Sequence, residues 1–318
     1  MSGHTGRFGI SAKLQEIMCL LSQGAVFEES EEVLRELIGV EISAKQFQRV
    51  SEHYGNELEE LESSYQSGDK YTPELSVDKE EPVYVMVDGS MVLTREDSWK
   101  EIKVGRLYSE SARVSVQKDR TEVADSLYVC TLGNNKDFFR KLEPYVDCYS
   151  HKIIIADGAK WIWNWADDFY GDAIQILDFF HAVEKLGAYA CLAYKDEQER
   201  NRWMEQQTQR LKNDQVESLT ADLKNIQATT TQADKALKDV IAYYQSNIKR
   251  MKYKTFLHNG YLIGSGAIES AHRNVIQQRM KLSGQRWSKD GAQRIANLRA
   301  CKKSKTWKIL LDCIINAA

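Results

Sequence analysis

Two apolar runs, each ended by an Asp-Gly pair, constrain the fold more than any other feature of the sequence. The first covers residues 83–87 and ends at Asp88, and the second covers residues 153–156 and ends at Asp157. Short continuous apolar runs between turn residues are typical of strands buried on both faces. A carboxylate that ends such a strand, with glycine behind it, is expected to be exposed where a ligand can approach the backbone.

The surrounding pattern predicts a mixed α/β fold. Strands are predicted, in chain order, at 83–93, 100–109, 126–132, 152–156 and 173–178. Helices are predicted at about 136–145 and 159–169, and the core face of the first contains Phe138, Phe139 and Leu142. Three strands followed by alternating helix and strand describe a mixed five-stranded sheet covered by helices, and the ribonuclease-H-like fold has this order.

A third acidic residue extends the pattern. Glu269 lies in the segment Gly-Ser-Gly-Ala-Ile-Glu-Ser at 264–270 and precedes a basic helical stretch. In the ribonuclease-H-like fold, carboxylates of the first strand, the fourth strand and the last helix converge, and Asp88, Asp157 and Glu269 occupy these three positions. One Asp-Gly pair is weak evidence because it is a common turn, whereas three acids matching one topology are stronger evidence.

Carboxylates in such an arrangement predict a metal site. Mg²⁺ takes oxygen ligands, usually one or two carboxylates completed by water and substrate phosphates. Two ions about 3.5–4 Å apart can stabilise the attacking and leaving oxygens of an in-line displacement at phosphorus. We therefore expect two Mg²⁺ ions, and oxygen ligands also suit Mn²⁺.

The first 62 residues are predicted to be helical. Helices are expected at about 12–23 and 29–38, and a third begins at Ser43, a natural N-cap, and ends near Gly55. A helix, a short turn with glycine and a capped helix form the helix-turn-helix pattern. The polar stretch 63–82 has no periodicity and predicts a linker.

Two interpretations of the N-terminal helices remain open. In a helix-turn-helix unit the side chains facing DNA would be Lys45, Gln46 and Arg49. A plain helical bundle fits the same pattern. Residues 1–82 carry 17 Asp and Glu against 7 Lys and Arg, and this acidity argues against strong DNA binding by the unit alone.

The chain from residue 83 onward divides into three parts. Residues 83–181 are the first part of the predicted catalytic core, 182–258 form a highly charged helical insertion, and 259–318 complete the core. Residues 273–318 carry 11 Lys and Arg against two Asp, which suits a polyanionic substrate. A solvated helix face would explain the same charge. The candidate DNA contacts in this segment are Arg279, Lys281, Arg286 and Trp287.

The remaining composition excludes other classes of protein. No apolar run reaches the length of about 18 residues that a membrane span needs. The N-terminal residues lack the apolar segment of a secretion signal, and the six scattered cysteines predict reduced thiols in a core. These features predict a cytoplasmic protein with no membrane partner.

Four short motifs carry a resemblance to a known family. They are Val-Asp-Gly-Ser at 87–90, Ala-Asp-Gly-Ala-Lys-Trp-Ile at 156–162, Leu-Asp-Phe-Phe-His at 177–181 and the segment 264–270 around Glu269. Together they resemble DDE transposases, in particular the ISKra-type group of bacterial insertion sequences, which is related to Mutator-like elements. The resemblance covers roughly residues 11–303.

The resemblance implies an activity and a set of roles. Asp88, Asp157 and Glu269 match the catalytic, metal-binding triad. Asp178 and His181 match the Asp-x-x-His element of Mutator-like transposases. Such enzymes cut DNA at the ends of a mobile element and transfer the 3′-hydroxyl to target DNA, and they generally act as dimers or higher oligomers on DNA. The resemblance therefore also implies association with the nucleoid.

Positions near Glu269 in the sequence predict two further accessory residues. His272 and Arg273 come three and four residues after Glu269 and share its helical face. His181 could position a phosphate, or it could form a structural pair with Asp178. The alternative functions are a non-catalytic, decayed or domesticated DNA-binding relative, and a ribonuclease-H-like nuclease without strand transfer. Target preference, terminal repeats and the choice of metal are not encoded in any motif.

Overall fold

The computed structural model describes residues 8–66, 69, 72–117 and 120–316. The first seven residues of the predicted N-terminal region, residues 67, 68, 70 and 71 of the predicted linker, and the last two residues lie outside the described residues. The described chain combines many helices with a five-stranded mixed sheet, so the predicted mixed α/β class is confirmed.

The strands follow the predicted order with one addition. Those described are β1 (Val83–Thr94), β2 (Ser98–Ser109), β3 (Arg113–Gln117), β4 (Arg120–Val123), β5 (Leu127–Leu132), β6 (Lys152–Ala156) and β7 (Ile174–Leu177). The mixed sheet has the order β5-β2-β1-β6-β7, and β3 and β4 form a separate hairpin. This hairpin was not predicted, because its strands are short and largely polar.

Helices fill most of the remaining chain. The α-helices are α1 (Ala12–Ser22), α2 (Phe27–Ile38), α3 (Ala44–Ser64), α4 (Asn135–Val146), α5 (Lys160–Phe169), α6 (Phe179–Ala193), α7 (Glu197–Lys212), α8 (Val216–Lys224), α9 (Thr231–Asn247), α10 (Tyr253–His258), α11 (Gly266–Ala271), α12 (Gln278–Met280), α13 (Lys289–Lys303) and α14 (Trp307–Asn316). A π-helical segment, His272–Gln277, links α11 to α12. No described helix is both long enough and apolar enough for a bilayer span.

The chain forms two compact units. The first unit contains the residues up to Lys152 and those from Ala267 onward, and the second unit contains Ile153–Gly266. In the first unit, β1 pairs antiparallel with β2 along its whole length, and β2 pairs antiparallel with β5. In the second unit, β6 and β7 run parallel and are joined by α5.

Helix α4 covers β2 in the first unit. A Cβ added at Gly105 would lie 2.7 Å from a methyl carbon of Leu142, so the bare strand backbone at this position makes room for the helix. Phe138 and Leu142 are fully buried, and Phe139 is nearly so. These are the three core residues predicted for this helix, because they recur at helical spacing.

Helix α3 is longer than the sequence predicts. The predicted end lies near Gly55, whereas the helix continues to Ser64. Gly55 is a packing position rather than a stop signal, since a Cβ there would lie 2.4 Å from the carbonyl oxygen of Arg294 in α13. The two helices therefore approach at backbone distance, and burial on α13 offsets the low helix propensity of glycine.

The second unit is built largely by the predicted helical insertion. Helix α6 packs against α7 and α9, and α8 packs against both α7 and α9. The buried Tyr244 hydroxyl donates a hydrogen bond to the Ala182 carbonyl oxygen at 2.7 Å. Apolar residues spaced along these charged helices thus form a core within this unit.

Substitution of Gly55 by alanine tests the close approach of α3 and α13. We expect Gly55→Ala to lower the free energy of unfolding by about 1–3 kcal/mol, the usual effect of overpacking, because the added methyl would meet backbone atoms. Urea denaturation measures the change. Gly24→Ala is the matched control, because its nearest neighbour would lie at an ordinary 3.6 Å. Equal stabilities of the two variants would contradict the packing argument.

Candidate functional site

The first unit brings Asp88 into contact with a histidine. Asp88 Oδ1 accepts a hydrogen bond from the Gly89 backbone N–H at 2.7 Å. Its other carboxylate oxygen lies 3.1 Å from Nε2 of His272, which is almost fully buried. Among the described residues, neither ring nitrogen of His272 has an aligned hydrogen-bond partner. The carboxylate and the imidazole are therefore neighbours without an aligned hydrogen bond between them.

Asp88 does not lie at the end of its strand, which corrects the expectation drawn from the Asp-Gly pair. Strand β1 continues to Thr94, and Asp88 pairs with Val104 of β2. What changes at Asp88 is burial, because every residue of the strand before it is buried, whereas the residues after it range from exposed to buried. A Cβ at Gly89 would lie 2.3 Å from the Glu101 carboxylate, so this glycine makes room for a neighbouring side chain.

Glu269 lies on α11, one helical turn before His272. The two residues differ in burial, because Glu269 is exposed whereas His272, which contacts Asp88, is almost fully buried. The buried Arg106 of β2 fixes the start of this helix, because its Nη1 donates to the Ala267 carbonyl oxygen at 2.6 Å. A π-helical segment begins at His272, and such segments occur frequently at functional sites.

Asp157 follows β6 directly in the second unit, as predicted. Its Oδ1 accepts a hydrogen bond from the Ala159 N–H at 2.9 Å, and its carbonyl oxygen accepts one from the Trp163 indole at 2.7 Å. These bonds fix the turn between β6 and α5, while the residue itself remains half-buried. The position fits a carboxylate held at the end of a buried strand.

The buried Asp178 and the half-buried His181 form a pair at the start of α6. Asp178 is the N-cap and accepts a hydrogen bond from the His181 N–H at 2.7 Å. Its other oxygen accepts a hydrogen bond from the Ser265 N–H. The Phe179 N–H also donates to the Ile263 carbonyl oxygen, so this helix start holds the segment that leads to α11. Of the two interpretations of His181, the structural pair with Asp178 is supported by direct contacts.

The charge states of this pair follow from its contacts. Burial opposes ionisation of Asp178, but the donors of His181 and Ser265 outweigh it and hold the pKa of the carboxyl below its usual range. His181 Nδ1 lies 3.3 Å from Asp178 Oδ1. Contact with this carboxylate, opposed by burial, raises the pKa of His181 to about 9. The pair is therefore an ion pair at neutral pH.

The donor chemistry fits a hard divalent cation, but a closed protein cage is not preformed. Asp88, Asp157 and Glu269 offer carboxylate oxygens that are exposed or half-buried. Across the described part of the chain, no three His, Cys, Asp or Glu side chains group closely enough to hold a metal ion. Mg²⁺ commonly relies on one or two carboxylates and completes its shell with water and substrate phosphate. The residues fit that mode of binding.

Most of the predicted DNA contacts are accessible. Lys45 and Arg49 are exposed on α3, and Gln46 is half-buried. The Arg49 guanidinium stacks 5.6 Å from the ring of Phe8. Three residues of the last segment are also exposed, namely Arg273, Lys281 and Arg286. Lys281 Nζ lies 3.4 Å from the Ser90 hydroxyl, two residues beyond Asp88.

Arg279 and Trp287 are buried instead. Only 1% of Arg279 is exposed, and its guanidinium lies between the rings of Phe27 and Trp287 at 5.1 and 4.9 Å. Its Nε donates to the Ser22 carbonyl oxygen at 3.0 Å, and the Trp287 indole donates to the Met280 carbonyl oxygen. Both residues thus have a structural role, which the basic composition of the segment did not reveal.

Tyr243 is a residue near the candidate acids that the sequence did not indicate. A Cβ at Gly158 would lie 1.9 Å from its ring, so glycine after Asp157 accommodates this tyrosine. Burial, followed by the charges of Asp157 and Asp178, raises the pKa of Tyr243 and keeps the phenol neutral. The sequence gives no signal of this contact, because Tyr243 and Gly158 are far apart along the chain.

The sequence also matches a known protein family. A family model described as Uncharacterised protein family (UPF0236) matches residues 32–308. The match includes Asp88, Asp157, Asp178 and Glu269, and it extends through both units. A search of curated proteins gave no match.

The Asp178–His181 pair predicts a pH dependence of stability. Since the pKa of His181 is raised to about 9, its contribution is complete below the ordinary value of 6.5 and is lost as pH rises through 9. We expect His181→Gln to lose less stability than the wild type between pH 7 and 10, and Asp178→Asn to move the His181 titration towards 6.5. Denaturation at several pH values and NMR titration of histidines measure these effects. His258→Gln, an exposed histidine of the same unit, should behave as the wild type.

Proposed function

We propose that this chain, which belongs to the Uncharacterised protein family (UPF0236), is a DDE-type DNA transposase. Its reaction is cleavage of DNA at the ends of a mobile element, followed by transfer of the new 3′-hydroxyl into target DNA. The fold proposed with it is ribonuclease-H-like, with the last helices of the core carrying Glu269. The proposed partners are the terminal repeats and the target DNA, bound by a dimer or a higher oligomer.

The contact of His272 with Asp88 is the observation that carries the proposal. It joins a strand acid to the helical segment that bears Glu269, within one compact unit. Asp157 supports the proposal independently, because it directly follows a buried parallel strand of the other unit. The four motifs that resemble DDE transposases contain these acids.

The proposed chemistry assigns a role to each side chain. Asp88, Asp157 and Glu269 would supply the carboxylate oxygens for two Mg²⁺ ions, and Mn²⁺ has the same donor preference. Such ions supply positive charge that stabilises the attacking and leaving oxygens at phosphorus. His272 orients the Asp88 carboxylate, and Arg273, exposed next to it, binds a phosphate of the scissile strand.

The reaction consists of two displacements at phosphorus. In the first, water attacks the scissile phosphodiester and releases a 3′-hydroxyl on the element end. In the second, that 3′-hydroxyl attacks a phosphodiester of the target, so that one P–O bond forms as another breaks. Asp178 positions the segment before α11 through the Ser265 N–H and acts through that segment.

A non-catalytic DNA-binding protein is the second candidate. It is favoured by one observation, since the described residues contain no preformed group of three metal-binding side chains. Lys45, Gln46 and Arg49 of α3 would then carry DNA binding, in the helix-turn-helix interpretation. The same binding surface serves the transposase proposal, so cleavage rather than binding distinguishes the two.

Neutral replacement of each acid tests the transposase proposal. We expect Asp88→Asn, Asp157→Asn and Glu269→Gln each to reduce Mg²⁺-dependent cleavage by about 100-fold or more, because metal stabilisation is worth several kcal/mol in the transition state. The assay measures strand cleavage and strand transfer on DNA that carries the sequences flanking the gene. Asp172→Asn, an exposed aspartate of the second unit, is the matched control and should retain activity.

The pattern of products separates the candidates. Cleavage together with joined products, lost in all three variants, supports a transposase. Cleavage without joining would indicate a nuclease. DNA binding without any cleavage by the wild type would favour the non-catalytic protein and overturn the proposal.

A further inference from the structure

A cavity in the first unit has the features of an anion site. It has a volume of about 300 Å³ and lies at the start of α2, beside the turn after β1 and the loop before α13. Its walls include the side chains of Arg95, Arg279 and Arg286 and the aromatic rings of Phe27 and Trp287. It is lined by none of the four acidic candidates and is therefore distinct from the catalytic residues proposed above.

The buried Arg279 is the strongest indication of a ligand. Its guanidinium is held between two aromatic rings of the cavity wall, and its Nη1 has no hydrogen-bond partner among the described residues. A buried donor without an acceptor is unfavourable, and one on a cation more so. Burial lowers the pKa of Arg279 to about 10, yet the side chain stays charged at neutral pH. Arg279 also lines the cavity, so an anion bound there would lie beside this charged guanidinium.

The start of α2 adds a second, independent feature. Val26, the N-cap of this 12-residue helix, provides no side-chain hydrogen bond to the first turn, and it lines the cavity together with Phe27. The backbone N–H groups at the start of a helix favour anions, through both hydrogen bonds and the helix dipole. The exposed Glu28 of this turn opposes an anion, so the arginines have to supply the excess of positive charge.

Two further arginines supply that excess. Arg95 and Arg286 are exposed, and neither forms an ion pair within the described ranges. Backbone hydrogen bonds join the two segments that carry these arginines. The Arg95 N–H donates to the Trp287 carbonyl oxygen at 2.8 Å, and the Trp287 N–H donates to the Leu93 carbonyl oxygen.

The second acid of the cavity wall is already engaged. Glu52 accepts a hydrogen bond from Gln48 at 2.7 Å and lies 3.8 Å from Arg294. Gln48 and Arg294 therefore partly compensate the negative charge of Glu52, and the three arginines of the cavity are not needed for this.

We propose that this cavity binds one phosphate group of a DNA strand, through Arg95, Arg279, Arg286 and the first N–H groups of α2. The inference rests on the proposed function for the source of the phosphate, because that function places DNA on this protein. Guanidinium groups match the geometry of phosphate oxygens, and several of them around one site favour phosphate over a smaller anion. The site would anchor the DNA backbone away from the point of cleavage.

The salt dependence of DNA binding tests the assignment. Binding of the full chain to duplex DNA is measured without divalent metal, at several salt concentrations, so that catalysis plays no part. Loss of one phosphate contact should reduce the slope of log affinity against log salt by about 0.9. We expect this change in the double variant Arg95→Gln with Arg286→Gln. The matched control is Arg35→Gln with Arg140→Gln, which removes the same charge from exposed positions outside the cavity.

Inorganic phosphate provides a second readout. We expect phosphate to raise the melting temperature of the wild type and of the control variant more than that of the cavity variant. A smaller shift in the cavity variant together with its reduced salt slope supports the proposal. Stabilisation by phosphate with an unchanged slope would mean a site for free phosphate and would overturn the assignment to DNA.

The DNA-binding measurement distinguishes an error in the cavity assignment from an error in the proposed function. If the wild type binds DNA and the cavity variant has the slope of the control, the cavity assignment is wrong while the transposase proposal stands. If the wild type binds no DNA under any salt condition, both are wrong.

Discussion

The first unit depends on the burial of one polar helix, α13. Ten of its fifteen residues are buried, and among them Gln293 and Asn297 form the hydrogen bonds that join separate elements. Gln293 donates to the Cys130 carbonyl oxygen and accepts from the Leu132 N–H, which gives the edge strand β5 a partner. Asn297 donates to the Gly55 carbonyl oxygen on α3. Buried polar groups of this kind require all their partners, so they fix the positions of strand and helix together.

The same helix explains part of the basic charge at the end of the chain. Arg299 is buried, and its guanidinium donates to carbonyl oxygens of Gln23, Asn274 and Val275. Burial lowers the pKa of Arg299 to about 10. Together with Arg279 it shows that two of the basic residues hold backbone segments in place. Arg299 is therefore not available to a polyanion, whereas Arg273, Lys281 and Arg286 are exposed.

The acidic residues show how structural and chemical roles overlap. Asp178 is an N-cap whose second oxygen accepts a hydrogen bond from the Ser265 N–H in the segment before α11. His272 couples Asp88 to the helix that bears Glu269, although neither ring nitrogen has an aligned hydrogen bond in the described region. The glycines after Asp88 and Asp157 make room for Glu101 and Tyr243, respectively. Each acid therefore lies in a locally constrained backbone.

The sequence by itself determined the order of elements and the position of Asp157 after a strand. These depend on local properties, because apolar periodicity and turn residues act over a few neighbouring positions. Only the tertiary structure decided that β1 continues beyond Asp88, that Gly55 lies inside a long helix, and that Arg279 is buried beside Trp287. Each of these depends on a partner distant in the sequence, such as β2, α13 or the start of α2, and no local pattern specifies such a partner.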